Sequence, residues 1–275
     1  MRFRLRFALF PSLLLALAAG PCLADTAPPI NPRQIAIEDG EFLTYGHYVG
    51  GERYQDLSIV SRFSSDRKTM HVYLGKRYIG TDIPMPRKYR DYQRQFVISL
   101  ETASMLSSFG DYYKESIAQK LTGEVAFDIA INDEKHVATY SSKIWDGYEL
   151  RTKTTRVKLV PKYPVWDAAS LAFVGSRYLD LSGRGIVYGV YPTIVKEAVP
   201  ISARFIGKET IEIPLGRFQT LKYGIGVTDP FLAQLLESYV KELVVWIEDS
   251  PRALVIKTQA PGEANVLESI STWKE

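Results

Sequence analysis

The chain has 275 residues, 46% of them apolar and 12% aromatic, with 34 basic and 31 acidic side chains. That is enough apolar material for a sizeable core in one large β-rich domain. The formal +3 charge rests on Arg2, Arg4 and Arg6, since no acid precedes Asp25; the rest of the chain is balanced, which excludes a global pull towards nucleic acid.

Those three arginines open a tripartite N-terminal segment. An apolar run from Phe7 to Ala19 follows, then Gly20-Pro21 and Cys22-Leu23-Ala24. A charged start, an apolar middle and a small-x-small end predict a secretory signal over 1–24, cleaved after Ala24. The run is short for a membrane span of ~20 residues. Pro21 stands where a lipoprotein signal needs a small residue before Cys22, so no lipid is expected on that sulfur. Cys22 is the only cysteine. Its removal predicts a mature periplasmic chain with neither disulfide nor thiolate chemistry.

Residues 25–33 read as an extended, Pro-rich leader, and 34–275 as a single β-rich domain. Phe42, Thr44, Gly46 and Tyr48 alternate with Leu43, Tyr45, His47 and Val49. A turn is predicted at Gly50-Gly51, with a return through Leu57, Ile59 and Ser61. A second hairpin is predicted over 68–80, cornered at Gly75-Lys76. Pro84 and Pro86 then oppose regular structure. Arg87, Lys88, Arg90 and Arg94 interleave there with Tyr89, Tyr92 and Phe96. They form either a patch for an anionic ligand or a solvated loop with aromatics packed beneath.

Two short helices are predicted next, over 99–110 and 111–123, ending at Gly110 and Gly123. Strands resume on both sides of a corner at Asn132-Asp133. The stretch 148–160 alternates charge with Leu and Thr, as a strand with both faces partly wet or an edge strand protected by charge does. Asp167 is placed to cap a short helix carrying Leu171, Phe173 and Val174. Asp229, followed by Pro230, is placed to cap a longer helix reaching Leu243. Three strands close the chain.

The search for catalytic motifs is negative: there is no nucleophile elbow, zinc helix, P-loop or dinucleotide fingerprint. His47, His71 and His136 stand alone, so neither metal nor cofactor is expected. Asp128, Asp146, Glu209 and Asp229 are the carboxylates to weigh for a hydrolase, and each has a structural explanation. The abundant feature is aromatic. Tyr48, Tyr73, Trp145, Trp166, Phe173, Phe218 and Trp246 are candidate liners of an apolar cavity inside a curved sheet, or else its core.

The stretch 207–226, GKETIEIPLGRFQTLKYGIG, is built as a hairpin. Ile211 and Ile213 share one face, Thr210 and Glu212 the other. Pro214 presets the corner, and Gly216 supplies a left-handed residue closing a three-residue turn with a bulge. Glu209 and Lys222 can pair across the strands. The stretch resembles the G-x-E-x-I-x-x-P-x-G-x-F-x-T-x-K signature of a bacterial envelope family known as a domain of unknown function. Residues 38–59, 166–181, 243–259 and 266–270 are similar to that family's other segments, while 87–123 and 229–243 depart from it. The resemblance implies a secreted, single-domain β protein with no catalytic residues to transfer. By analogy of architecture it implies a half-open barrel like the LolA/LolB carriers.

The expectation is therefore mainly β: a curved antiparallel sheet or half-open barrel with a few short helices. Three functions follow. The first is a non-enzymatic periplasmic protein holding a lipid, lipoprotein or other amphiphile, with peripheral membrane contact. The second is an envelope scaffold binding another protein or a glycan. The third is a hydrolase without a recognisable motif.

Overall fold

The computed structural model describes residues 27–79, 92–112, 123–167, 170–183, 185–190, 196–236 and 243–272. The signal segment, Arg87, Lys88, Arg90 and most of the second predicted helix lie outside these residues. Among the described residues no helix is long and apolar enough to cross a membrane.

Among the described residues fifteen strands form one sheet. The first eight are β1 (Glu41–Val49), β2 (Glu52–Phe63), β3 (Thr69–Tyr78), β4 (Tyr92–Ser99), β5 (Ser104–Tyr112), β6 (Gly123–Asn132), β7 (Val137–Trp145) and β8 (Leu150–Lys158). They run as a meander with each strand antiparallel to the last. The others are β9 (Val165–Asp167), β10 (Ile186–Val190), β11 (Val199–Ile213), β12 (Gly216–Val227), β13 (Leu243–Glu248), β14 (Val255–Ala260) and β15 (Glu263–Thr272). β15 pairs with β1, so the two series meet in mid-sheet and the order is β8 through β1, then β15 down to β9. Only β9 and β10 are parallel. The fold is mainly β, as expected.

The sheet curls until distant strands touch. Ser104, at the start of β5, receives the Val165 N–H of β9 at 2.9 Å. The Trp166 indole donates to Ala103 O at 2.9 Å. Lys158, ending β8, bridges to Glu197 just before β11.

The chain fills the space this leaves with its own side chains. Leu43, Tyr45, Leu57, Ile59, Met70, Val72, Phe96 and Ile98 line one side, alternating in sequence as inward positions do. Against them pack Trp166, Leu171, Val174, Tyr178 and Leu179. These belong to the segment that leaves β9, makes a wide π-type turn (Leu171–Gly175) and a single helical turn, α1 (Ser176–Tyr178).

The segment is fixed by charge. Arg177, only 3% exposed, donates from Nη1 and Nη2 to the buried Glu41 of β1 (Nη2–Oε2 3.0 Å) and from Nε to the Arg252 carbonyl at 3.1 Å. The leader is stitched to the same segment rather than standing apart. The Ile30 N–H donates to Ile186 O at 3.1 Å, Arg33 N–H to Tyr178 O at 2.7 Å and Asp180 N–H to Asn31 O at 2.8 Å.

Several sequence expectations are corrected. Residues 99–110 are not a helix: β4 ends at Ser99 and β5 begins at Ser104. Ile98 and Met105, both fully buried, pair across the two strands, so sheet packing overrides the local helix-end signal of Gly110. Gly75-Lys76 is no corner. β3 runs through it with Lys76 paired to Leu57 on one side and Tyr92 on the other. Asp167 accepts the Ser170 N–H at 3.0 Å, but what it caps is the π-type turn. Asp229 caps α2 (Pro230–Leu236) through the Leu232 N–H at 2.9 Å. Leu243, its predicted end, instead opens β13, and 237–242 lie outside the described residues. The Gly50-Gly51 and Asn132-Asp133 corners are as predicted, and β8 takes the edge position that was one of its two readings.

Removing one partner of a buried ion pair strands the other charge. Glu41→Ala is expected to lower unfolding free energy by about 3–5 kcal/mol in urea denaturation. Glu41→Leu with Arg177→Met, which removes both charges, is expected to lose clearly less.

Candidate functional site

The seven aromatic candidates do not converge on one cavity. Trp166 is fully buried in the core, and Phe173 is half-buried, edge-on to Tyr45 with centroids 6.2 Å apart. Tyr48, on the opposite face of β1 from Tyr45, donates to Glu268 at 2.9 Å. Tyr73 is 43% exposed, and Trp145 ends β7 half-buried. Phe218 and Trp246 belong to the second half of the sheet.

Arg94 also departs from its predicted place. It was expected in an exposed basic run, either a patch for an anionic ligand or a solvated loop. It points inward instead, two residues from Phe96 and four from Ile98, both fully buried. That spacing was a signal in the sequence. Its guanidinium pairs with Asp167 at 3.3 Å and lies 4.5 Å from the Phe127 ring centroid. Phe127 stacks on Tyr140, whose hydroxyl donates to Glu124. Burial raises the Glu124 carboxyl, against the pull of the Tyr140 hydroxyl and Arg94. Two carboxylates thus approach one arginine, and each already has partners: Asp167 has Arg94 and the Ser170 N–H, Glu124 has Tyr140. The cluster ties β4, β6 and β7 to β9 and has the chemistry of a clasp. Asp128 and Asp146 take no part in it: Asp128 is exposed on β6, and Asp146 accepts N–H groups of its own turn. Among the described residues no three His, Cys, Asp or Glu side chains cluster as a metal site would require.

The other constellation lies on the face opposite the core. In β13, Val245 and Ile247 are fully buried in the core, so Trp246 faces the other way. Lys222 of β12 and Lys257 of β14 are its direct cross-strand neighbours. Their ammonium groups lie 4.7 and 4.8 Å from the indole ring centroid, within cation–π range. The predicted Glu209–Lys222 pair is present at 3.3 Å. Glu209 also accepts the Trp246 indole N–H.

The β11–β12 hairpin is longer than β13, which pairs with it only as far as Thr220. Its far end therefore runs on past the sheet edge. Pro214 and Leu215 make the corner between paired Ile213 and Gly216, two residues where three were expected. Gly216 has φ 121°, the left-handed region that favours glycine. The overhang leaves a groove of about 380 Å³, walled by Ile211, Ile213, Pro214 and Val266, with Glu209, Glu212, Trp246 and Lys257 on its polar side. Among the described residues no carboxylate lies within ion-pair distance of Lys257. Phe218, beyond the corner, is half-buried against the core and does not line this groove. Lys257 and Val266 carried no sequence signal. Only the strand register brings them beside Trp246.

No family model matches the chain, and no curated protein matches it. Two solved structures align along most of its length. One, from Bacteroides fragilis, is provisionally described as an exported protein with a YmcC-like fold; it has a TM-score of 0.31 and 12% identity, over 89% of this chain and all of that one. The other, from Parabacteroides distasonis, is provisionally described as a lipoprotein; it has a TM-score of 0.34 and 12% identity, over 88% of this chain and 99% of that one. At that level neither neighbour's role transfers to this chain.

The Trp246 N–H and then Lys222 hold the Glu209 carboxyl below its ordinary value of 4.5. A carboxylate lowered by folding contributes stability above its unfolded pKa and loses it as pH falls through the folded one. Trp246 emission is therefore expected to change in a step below pH 4.5 that Glu209→Gln abolishes. A step surviving that substitution would assign it elsewhere.

Proposed function

We propose that this chain is a non-enzymatic protein of the bacterial periplasm that holds an amphiphilic envelope component, a lipid or the acylated end of a lipoprotein. The site is the groove beneath the β11–β12 hairpin. The observation that carries the reading is Trp246 flanked by two lysine ammonium groups beside a groove walled by Ile211, Ile213, Pro214 and Val266.

Such a groove offers an acyl chain apolar contact at roughly 25 cal/mol per Å² buried. The lysines offer an anionic head group a place at the indole edge. Lys222 is paired with Glu209; Lys257 acts on Glu209 only through space, without an ion-pair contact, and is the cation a ligand can meet. The secretory pattern of residues 1–24 supports delivery to the envelope. The filled interior favours a shallow outer site over the deep cavity that a barrel carrier uses.

Native mass spectrometry of the protein purified from periplasm tests this reading. The expected result is a bound population of lipid mass that Lys257→Glu reduces several-fold and Ile211→Asp abolishes, with unchanged far-UV dichroism. A clean ligand-free mass, together with no Trp246 response to an anionic lysophospholipid, contradicts it.

A further inference from the structure

The sheet has two end strands, and they are finished differently. β9 is sealed: the Ser104 side chain bonds its Val165 N–H, and the Trp166 indole reaches Ala103 O. β8 is open. Seven of its nine residues are exposed, and among the described residues only its last, Lys158, is engaged on the outer side. There the Lys158 N–H donates to Lys196 O at 3.0 Å, and the Ala198 N–H donates to Lys158 O at 3.0 Å. Among the described residues the rest of the strand is an unused row of backbone donors and acceptors, which is a template for one more strand.

The side chains of this edge are of one sign. β8 carries Arg151, Lys153, Arg156 and Lys158 and no acid. Arg151 is held by Glu149 at 2.6 Å and Asp146 at 3.2 Å, within its own turn. Among the described residues, no carboxylate lies within ion-pair distance of Lys153, Arg156, Lys158 or the neighbouring Lys143. By alternation Lys153 projects to one face. Arg156 and Lys158 project to the other, shared with Lys143, which lies opposite Thr152. Thr152, Thr154, Ser141 and Thr139 fill the middle of that face across β7 and β8, all small, with Trp145 and Leu150 at one end and Val137 at the other.

A second copy of this chain adding through β8 would gather the same cations on both sides of the seam with no acid between them, so self-pairing is disfavoured. An apolar strand would leave the cations unanswered. We infer that β8 is a docking edge for an extended, acidic segment of a partner protein. It adds as a sixteenth strand, with its carboxylates set against Lys153 on one face and Arg156, Lys158 and Lys143 on the other. The lysines that keep unwanted strands away thus select the wanted one. This edge is separate from the groove and does not depend on what the groove holds.

The probe is a fluorescent ten-residue peptide of repeating Glu-Glu-Thr-Thr, which sets carboxylates on both faces of an added strand, followed by anisotropy at low salt against the full mature chain. Saturable binding is expected. R156E/K158E should weaken it by roughly tenfold or more, with unchanged thermal unfolding. A peptide of equal charge with two central Thr replaced by Pro cannot add as a strand and should bind at least tenfold more weakly. Equal binding of both peptides would overturn the inference in favour of bare charge attraction. So would stronger capture by anionic vesicles that R156E/K158E abolishes, a dimer formed through β8, or no binding at all.

Discussion

The contact on which the architecture depends is Arg177 with Glu41. A guanidinium almost out of water meets a carboxylate almost out of water, in the middle of the fold. Such a pair contributes little net stability, because desolvation offsets its attraction. Its consequence is positional. Arg177 sits on the segment that fills the curl, Glu41 begins the strand where the two meanders meet, and the Arg252 carbonyl accepts from the same guanidinium. Leaving either buried charge unpaired is costly, so the pair favours this placement of the segment in the sheet. The leader, bonded to Tyr178 and Asp180, is ordered as a result.

Because that segment occupies the concave side, the large aromatics there serve packing. Trp166 and Tyr178 are core residues with satisfied polar ends. What the fold leaves for recognition is on its outside: the groove under the overhanging hairpin, and the cationic edge of β8. Both are matters of strand length and order: β11 and β12 run past β13, and among the described residues no strand lies beyond β8. Register, more than any single residue, places Lys257 against Trp246.

Local chemistry was readable in the sequence where it acts locally. Gly50-Gly51, Asn132-Asp133, Pro214 with Gly216, and the Asp229 cap all stand where their backbone preferences put them. The Glu209–Lys222 pair was legible because both residues belong to one hairpin. Misreadings came where long-range packing decides. Gly110 suggested the end of a helix, yet the stretch before it is a β-turn and strand in which Ala103 and Met105 are buried. Arg94 looked like one of a run of surface cations, although the period of two shared with Phe96 and Ile98 marked it as inward. Gly75-Lys76 resembled a corner only because the two neighbours that hold β3 straight, Leu57 and Tyr92, are separated from it in sequence.

The central claim is that an amphiphile is held outside, against Trp246, while the interior stays filled. The chain has four tryptophans, at 145, 166, 246 and 273, each with a separate indole N–H resonance. In a titration of the ¹⁵N-labelled protein with an anionic lysophospholipid, the account predicts that the Trp246 resonance moves saturably and that Trp166 does not. Movement of Trp166 with Trp246 unchanged would place the ligand in the core and contradict it.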